Sequence, residues 1–408
     1  MSTVARWPVN DGMTLLRGGR VFAPEDLGEQ DVLVGGGRVL HIGRGLEIPA
    51  AWEDVQVVDA RGKYVIPGLI DPHVHIAGGG GEGGPATRNF DIQLTDITRY
   101  GVTTVAGVLG VDATSKDLAT VLGRAQGLDI EGITTYAWAG SYTLPPATIT
   151  GSVTRDVACV EKILGVKVAI SDHRGSQVTV QEIARLAAQA RMGGLIGRKP
   201  GLLHLHVGHS PRGIEPLVQA VESTEIPITQ FYPTHMNRRR THVDQAKDWL
   251  RRGGIVDVTA GIAPAWGFPE ATKPSAAIRE FLESGASPLR ITMSSDANGN
   301  MIRYGESGRV EGVVVQSARH LHHELRDLVM VEKIPVPVAL AIATTSPARL
   351  MKIDRRKGYL GPGADGDVVV TEPDLAIVHV YARGACLVRG GQPVVVGTFE
   401  RAGEEVAM

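Results

Sequence analysis

The run Gly165-Val166-Lys167-Val168-Ala169-Ile170 places one lysine inside an otherwise apolar segment. Short apolar runs of this kind are typical of strands that are buried on both faces of a sheet. A lysine ammonium group there loses its hydration, so it must find a partner, lower its pKa or change its chemistry. Pairing with a buried acid and an edge position that lets the amine reach water are two ordinary explanations. A third is carboxylation by CO2, which turns the cation into an anionic oxygen ligand.

This run is one of eight strand candidates that alternate with helical patterns along the chain. The candidates are 65–70, 102–108, 134–139, 166–170, 202–207, 227–232, 255–259 and 291–295. Residues 181–192, which follow the fourth candidate, combine good helix formers with helical spacing of apolar residues. Eight strand–helix units over about 280 residues predict a (β/α)8 TIM barrel, with a doubly wound open sheet as the main alternative.

Both ends of the chain have a different sequence pattern, in which turn residues separate short apolar runs. These runs are 14–19, 32–37, 55–59, 366–371, 377–381 and 386–391. They predict strands and hairpins. With 408 residues, the chain also exceeds the size at which one core usually keeps growing. We therefore expect a discontinuous β-sandwich domain from residues 1–65 and 352–408, and a catalytic barrel from residues 66–351.

Charge, cysteine content and hydropathy exclude several classes of protein. Lys plus Arg number 42 and Asp plus Glu number 44, a net charge of −2 that gives no reason to expect nucleic acid or an anionic membrane as partner. Cys159 and Cys386 are far apart and lack metal-ligand spacing. No run approaches the roughly 20 apolar residues that span a bilayer, and the N-terminus does not resemble an export signal. These features predict a soluble cytoplasmic protein.

Six polar residues lie at or just past the C-terminal ends of the predicted strands, where barrel enzymes place their chemistry. They are His73, His75, Lys167, His206, His235 and Asp296. A lone histidine at a strand end is more often a hydrogen-bonding structural residue than a ligand. Six such residues on one face favour a metal site.

Neighbouring histidines leave part of the assignment open. His204 and His209 lie close to His206, and the sequence does not decide whether either has a role in the site. His173 is expected to be outside the ligand set. The cluster of His320, His322 and His323 is expected to form an exposed helical face.

Imidazole and carboxylate ligands suit Zn²⁺ best, with Mn²⁺, Co²⁺, Ni²⁺ and Fe²⁺ also compatible. Two ions roughly 3.5 to 4 Å apart would share a bridging hydroxide and a carbamate on Lys167. Asp296 would then accept the hydroxide proton and pass it to a departing amine.

Several motifs resemble those of the amidohydrolase superfamily, namely Asp71-Pro72-His73-Val74-His75, the strand lysine, two later histidines and Ser294-Ser295-Asp296. More narrowly, segments 73–85, 149–153, 165–174, 233–238 and 381–384 resemble the isoaspartyl (β-aspartyl) dipeptidase family. The resemblance implies that His73, His75 and Asp296 hold one metal ion, that His206 and His235 hold a second, and that carboxylated Lys167 bridges them. It also implies a high-order homo-oligomer, such as an octamer.

The same resemblance assigns residues to the substrate. Tyr142 matches the residue that polarises the scissile carbonyl group, and Glu82 matches the one that receives the free α-ammonium group. Arg174 and Arg238 match residues that bind carboxylate, a role that suits the paired donors of guanidinium. Without the resemblance, residues 78–84 would be interpreted as a flexible glycine-rich loop.

Three features depart from the family's pattern. Val111 stands where the family has threonine after Gly110, and Asn300 stands where it has serine after Gly299. The segment 261–273, which contains Trp266, also differs. We expect these changes to alter substrate choice without affecting the metals.

The sequence thus predicts a zinc-dependent hydrolase that cleaves the β-aspartyl amide bond of small dipeptides through attack of a metal-bridging hydroxide. One alternative is a hydrolase of cyclic amides or N-acyl amino acids, similar to dihydroorotase or hydantoinase. Another is a non-catalytic structural member of the superfamily.

Overall fold

The computed structural model describes residue 8 and residues 12–52, 54–304 and 309–400. Of the predicted terminal domain, residues 1–7, 9–11, 53 and 401–408 lie outside the described residues.

Five strands form the first part of the chain: β1 (Met13–Phe22), β2 (Asp26–Gly35), β3 (Arg38–Gly43), β4 (Val55–Asp59) and β5 (Tyr64–Pro67). Eight strands follow in the central part: β6 (Leu69–Val74), β7 (Val102–Gly107), β8 (Thr134–Gly140), β9 (Ile163–Ile170), β10 (Leu202–Val207), β11 (Phe231–Thr234), β12 (Val256–Thr259) and β13 (Ile291–Ser294). A hairpin and the last strands complete the set: β14 (Asn300–Tyr304), β15 (Val310–Val315), β16 (Val368–Thr371), β17 (Ile377–Ala382), β18 (Ala385–Arg389) and β19 (Gln392–Pro393).

The helices of the described residues lie mainly between the central strands. They are α1 (Leu94–Thr98), α2 (Leu118–Glu131), α3 (Val153–Cys159), α4 (Val180–Gly197), α5 (Glu215–Ser223), α6 (Arg240–Arg251), α7 (Pro274–Glu283), α8 (Arg319–Met330), α9 (Val336–Ala343) and α10 (Thr345–Leu350). Short 3-10 turns occur at Pro85–Thr87, Ile228–Gln230, Pro264–Trp266 and Pro288–Arg290. None of the helices in this part of the chain is long and apolar enough to cross a membrane.

The central strands form a curled parallel sheet. Strands β6 to β11 pair side by side in chain order, and β12 pairs with β13. β12 also packs beside β11, and β13 packs beside β6. Strand order follows chain order without the reversal that defines a doubly wound sheet, so that alternative is wrong. Seven of the eight predicted strands are present as single strands, whereas the first prediction, 65–70, is divided between β5 of the terminal sheet and β6 of the parallel sheet. The sixth starts later than predicted because residues Ile228–Gln230 form a 3-10 turn.

Local sequence signals explain where the helices begin. The predicted helix 181–192 is observed as the longer α4 (Val180–Gly197). Its start is set by a capping box in which Thr179 accepts from the backbone of Glu182 and Glu182 accepts from the backbone of Thr179. It ends at Arg198, which has a left-handed conformation with φ of 54°.

The strands at the two ends of the chain join in one nine-stranded sheet through antiparallel pairing of β5 with β16, where Val65 lies opposite Val370. The sequence predicts a sandwich, but hydrogen bonding connects all nine strands continuously. The reason is the length of β1, which pairs with β4 through residues 13–17 and with β5 through residues 20–21. Apolar residues of both ends share a core that includes Leu16, Val32 and Val368.

Candidate metal centre and substrate cleft

All six predicted metal ligands lie at the C-terminal ends of the central strands. His73 lies in β6, Lys167 in β9 and His206 in β10, and each is at most 3% exposed. His75 and His235 follow directly after β6 and β11, and Asp296 is the second residue after β13. The structure therefore brings together the residues that the sequence placed on one face.

The first group consists of His73, His75 and Asp296. Oδ1 of Asp296 lies 3.4 Å from Nε2 of His73 and 3.1 Å from Nε2 of His75. Each residue offers one ligand atom, and the three atoms lie within 4.8 Å of one another. Burial would raise the pKa of Asp296, but the contacts with His73 and His75 lower it well below the ordinary value. The carboxylate therefore remains an anion.

The second group consists of His206 and His235, whose Nδ1 and Nε2 atoms lie 2.8 Å apart. Nε2 of His206 lies 3.0 Å from Oδ2 of Asp172. An ionised carboxylate only accepts hydrogen bonds, so Nε2 of His206 carries the proton and Nδ1 keeps its lone pair. That lone pair faces His235 and the hydroxyl group of Tyr142, which is 2.9 Å away.

Lys167 contacts the first group through His73. Its side chain is fully buried in β9, an interior strand paired with both β8 and β10, so the edge-strand explanation is wrong. Nζ donates to the carbonyl oxygen of Leu109 at 2.8 Å and lies 3.4 Å from Nε2 of His73. Within the described residues it has no carboxylate ion-pair partner. Burial lowers the pKa of Lys167 to about 7.

Side chains behind the ligands fix their orientation. Nδ1 of His204 donates to the carbonyl oxygen of Tyr232 at 3.0 Å, because a carbonyl group can only accept. Burial lowers the pKa of His204 well below its ordinary value, so the ring is neutral and its Nε2 is an acceptor. Nδ1 of His73 donates to that acceptor at 2.7 Å, which leaves Nε2 of His73 as the ligand atom. The hydroxyl group of Thr259 lies 2.7 Å from Nδ1 of His235 and holds the orientation of that ring. Such supporting contacts set the tautomer of metal-binding histidines.

Two of the candidate ligands have strained backbones. His235 has φ of 67° and Asp296 has φ of 56°, in the left-handed region that residues with a side chain rarely adopt. Strain of this kind costs about 1–3 kcal/mol per residue and concentrates at functional sites. The backbone N–H of His75 donates to the carbonyl oxygen of Ala297 at 2.9 Å, which fixes the Asp296 turn against the first strand.

Buried acids hold the strand ends in place. Asp71 accepts from the backbone N–H of Ser295 at 3.1 Å and from the Ser295 hydroxyl group, which ties β6 to the end of β13. Burial raises the pKa of Asp71 to about 7. The motif residues flanking the ligands therefore have a structural role.

A cleft of about 350 Å³ opens beside the metal ligands. Its lining comprises Glu82, Tyr142, His173, Arg174, His206, His209, Arg238, Phe268, Asp296, Asn300, Met301 and Gln316. All predicted substrate residues except Val111 are in this lining. Val111 follows Gly110, where a methyl group would lie 3.1 Å from the ring of His75.

Charged side chains are connected on one wall of the cleft. Arg174 donates from Nη1 to Oε2 of Glu82 at 2.7 Å, and from Nε and Nη2 to the two carboxylate oxygens of Asp172 at 2.9 and 2.7 Å. Its guanidinium group also lies 5.4 Å from the centre of the Tyr142 ring. Three of its five N–H donors are thus engaged within the protein. Asp172, which the sequence analysis missed, joins this wall to His206.

Arg238 is the less engaged of the two arginines. It is 5% exposed, its Nη1 lies 3.4 Å from Nε2 of His206, and its Nε finds no acceptor among the described residues. Its donors are therefore available to an anionic group in the cleft.

Asn300 belongs to a network that connects the glycine-rich loop to the loop after β13. Its Nδ2 donates to the carbonyl oxygen of Thr87 at 2.7 Å, and its Oδ1 accepts from Asn89 at 2.8 Å. Gly80 has φ of 81°, and a methyl group there would lie 2.2 Å from the Asn300 amide. Specific contacts therefore hold this loop in place. The sequence without the family resemblance predicts a flexible loop instead.

The expectation for the histidines of α8 is wrong. His320 and His322 are 4% and 7% exposed, and His323 is the exposed member. Nε2 of His322 contacts the carbonyl oxygen of Leu375 at 2.7 Å, and the ring of His320 lies 4.5 Å from that of Trp266. Helix α8 is covered by segments that are distant in sequence.

The residues present fit metal ions. Nδ1 of His75 and Oδ1 of Asp296 are buried without a hydrogen-bond partner among the described residues. Burial lowers the pKa of His73 to about 3 and holds the pKa values of His206 and His235 well below the ordinary one, so the imidazoles are neutral. Neutral imidazole and carboxylate are the donors that Zn²⁺ and similar ions prefer.

The fold and the site together are those of a hydrolase of amide bonds. The chain belongs to the amidohydrolase family, whose model matches residues 64–394. It is similar to the β-aspartyl dipeptidase of Fervidobacterium islandicum AW-1, solved in complex with the β-Asp-Leu dipeptide, at 39% identity and a TM-score of 0.85 over 93% of this chain and 98% of that one. The resemblance drawn from the motifs is confirmed.

Other relatives match this chain at lower sequence identity or over a shorter segment. Dihydropyrimidinase from Brevibacillus agri NCHU1002 has the same fold at 18% identity, with a TM-score of 0.69 over 95% of this chain and 100% of that one. An imidazolonepropionase from Caulobacter sp. (strain K31) is 33% identical over 115 residues, which span 26% of this chain and 27% of that relative.

Proposed function

We propose that this protein is a two-metal hydrolase that cleaves the β-aspartyl amide bond of small isoaspartyl dipeptides. The observation that carries the proposal is the composition of one cleft. The candidate metal ligands His206 and Asp296 line the same cleft as Glu82, Arg174 and Arg238. An isoaspartyl unit presents both a free ammonium group and a free carboxylate next to the amide bond, and this cleft offers a partner for each.

His73, His75 and Asp296 would hold one ion, His206 and His235 a second, and a carbamate on Lys167 would bridge them. Zn²⁺ suits this donor set. Bound ions of this kind supply Lewis acidity and lower the pKa of water toward 7. The burial of Lys167 and its 3.4 Å contact with His73 support the bridging role, because they place Nζ beside the first group of ligands.

Tyr142 and Asp296 are proposed to act on the amide bond. Burial raises the pKa of Tyr142 above its ordinary value, so the hydroxyl group keeps its proton and donates a hydrogen bond to the substrate carbonyl oxygen. This donor would stabilise negative charge that develops on that oxygen. The Asp296 carboxylate would accept a proton from the attacking water and deliver it to the departing amine.

Glu82 is proposed to bind the substrate's α-ammonium group and Arg238 a carboxylate. Arg174 would bind carboxylate as well, but its contacts with Asp172 and Glu82 also give it a positioning role. The similarity to a β-aspartyl dipeptidase that binds β-Asp-Leu supports this assignment. Val111 and Asn300 would adjust substrate choice, and Asn300 lies in the cleft wall.

We also infer larger-scale features. Contacts of β13 with β6 favour closure of the central strands into an eight-stranded barrel over residues 66–351, with residues 1–65 and 352–408 as the second domain. Leu195 and Ile196 on α4 are 61% and 65% exposed, which supports burial in a homo-oligomer. Cys159 and Cys386 are unpaired, in keeping with the cytoplasm.

The test compares β-Asp-Leu with α-Asp-Leu after reconstitution with Zn²⁺. We expect hydrolysis of β-Asp-Leu only. Equal rates for both dipeptides, or hydrolysis of neither, would contradict the proposed substrate. Metal content near zero after purification from zinc-supplemented medium would instead favour a non-catalytic protein.

A further inference from the structure

Gln316 lies on the cleft wall, and its side-chain amide finds no hydrogen-bond partner among the described residues. It directly follows β15 and is 5% exposed, yet neither Nε2 nor Oε1 has a hydrogen bond among the residues that the structure describes. Its backbone is held firmly, because its N–H donates to the carbonyl oxygen of Gly299 at 2.9 Å and its carbonyl oxygen accepts from Asn298 at 2.8 Å. The unpaired amide is therefore fixed beside the loop that carries Asp296.

His320 lies next to this amide, and its ring also lacks a hydrogen bond within the part of the chain that the structure describes. Both of its ring nitrogens are buried without a hydrogen bond in the described part of the chain. A methyl group on Gly261 would lie 2.0 Å from Oε1 of Gln316 and 3.1 Å from Nδ1 of His320, so the two side chains meet above this glycine. Burial lowers the pKa of His320 to about 4, so its ring is neutral.

Buried polar groups without partners are rare in folded proteins, and each one calls for an explanation. Here four polar atoms of two neighbouring side chains are involved, and one of these side chains lines a cleft. Phe268 and Met301 line the same cleft and provide apolar surface. A ligand group with an apolar stem and an uncharged polar end would match this part of the wall.

We propose that Gln316, supported by His320, forms the pocket for the side chain of the amino acid that the reaction releases, and that the pocket selects a carboxamide side chain. This inference rests on the proposed function. A carboxamide offers a donor and an acceptor, so it pairs with the Gln316 amide through two hydrogen bonds. An aliphatic side chain would leave the amide unpaired, and a charged one would lose its hydration without a counter-ion.

The experiment measures kcat/KM for β-Asp-Gln, β-Asp-Leu and β-Asp-Glu. We expect the wild-type protein to prefer β-Asp-Gln over β-Asp-Leu by about tenfold, and to turn over β-Asp-Glu more slowly than either. Gln316→Leu should reverse the preference between the first two substrates. Gln219→Leu makes the same chemical change at an exposed position of α5 and should leave the preference intact.

Several outcomes would overturn the inference. Equal wild-type rates for β-Asp-Gln and β-Asp-Leu would do so, as would an equal effect of Gln316→Leu on both. Absence of turnover for every β-aspartyl dipeptide would remove the proposed function and this inference together, whereas turnover without preference removes this inference alone. Gln316→Glu keeps the shape of the side chain if Gln316→Leu does not fold. We expect it to raise β-Asp-Lys turnover relative to β-Asp-Gln, and an unchanged ratio would contradict the pocket.

Discussion

The ring of His204 lies directly behind that of His73, with Nε2 of His204 2.7 Å from Nδ1 of His73. Because His204 is itself fixed by the carbonyl oxygen of Tyr232, it determines which nitrogen of His73 points into the site. His204→Phe keeps a ring of similar size and removes the acceptor. We expect metal affinity to fall about 10–100-fold, since outer contacts of metal ligands typically have effects of this size. Competition with a chelator of known affinity measures the change.

His323→Phe is the matched control, because it makes the same substitution at an exposed position of α8. It should bind metal as the wild-type protein does. Equal affinities for His204→Phe and wild type, with both folded by circular dichroism, would show that His204 only fills space.

Lys167 is predicted to be indispensable in its carboxylated form. Lys167→Ala should abolish hydrolysis of β-Asp-Leu, because the proposed bridge between the two ion sites is lost. Addition of a short carboxylic acid such as formate or acetate should restore part of the activity, since it supplies the missing anionic oxygens. Lys333→Ala, at an exposed position, serves as the control. Activity of Lys167→Ala equal to that of wild type would refute the bridge, and rescue by chloride in place of carboxylate would refute its chemistry.

Most of the candidate site could be predicted from the sequence because its parts follow from local patterns. Lys167 stands out within an apolar strand, and His73, His75 and Asp296 follow strand ends that periodicity predicts. Parallel strands in chain order then place these ends on one face. The number of strands and the face on which the candidate ligands lie therefore follow from these local patterns alone.

The remainder depends on contacts between distant segments, which no local pattern contains. His204 and His206 lie two residues apart in β10, so their side chains point to the same side of the strand. Only the folded structure places His206 beside His235 and His204 behind His73. The burial of His320 comes from packing of α8 against Trp266. The continuous terminal sheet depends on how β1 divides its length between two partners.

Glu82 distinguishes the proposed substrate from a cyclic amide. Glu82→Gln keeps the size of the side chain but removes the charge that would pair with an α-ammonium group. We expect kcat/KM for β-Asp-Leu to fall about 10–100-fold, the size typical of a hydrogen bond between charged groups. Hydrolysis of dihydroorotate or a hydantoin, if present, should be nearly unaffected because neither ring has an ammonium group.

The control for this variant is Glu222→Gln on α5, where the glutamate is exposed and paired with Arg252. Its kinetics should match those of wild type. If Glu82→Gln hydrolysed β-Asp-Leu at the wild-type rate, the ammonium site would have to be assigned elsewhere in the cleft.

The buried side chain of Asp257 should make the free energy of unfolding depend on pH. It lies on β12 and accepts hydrogen bonds from Tyr232 and Thr234 on β11 and from Thr292 and Ser294 on β13, at 2.6 to 3.1 Å. Burial raises its pKa from 3.8 to about 6, although the four hydroxyl groups oppose this shift. A raised pKa means that the folded state binds the proton more tightly than the unfolded state does. The stabilisation is therefore complete below about pH 3.8 and is lost as pH rises through about 6.

Asp257→Asn removes this titration while preserving the size of the side chain. Between about pH 4 and pH 7.5, wild type should lose about 2.4 kcal/mol of unfolding free energy relative to the variant, since each unit of pKa shift corresponds to about 1.4 kcal/mol and part of the shift lies below pH 4. Urea titrations of both proteins across this range measure the difference. Asp248→Asn, at an exposed position of α6, should run parallel to wild type. Parallel curves for Asp257→Asn and wild type would show that Asp257 is ionised in the folded protein at all of these pH values, with its four hydroxyl donors outweighing the cost of burial.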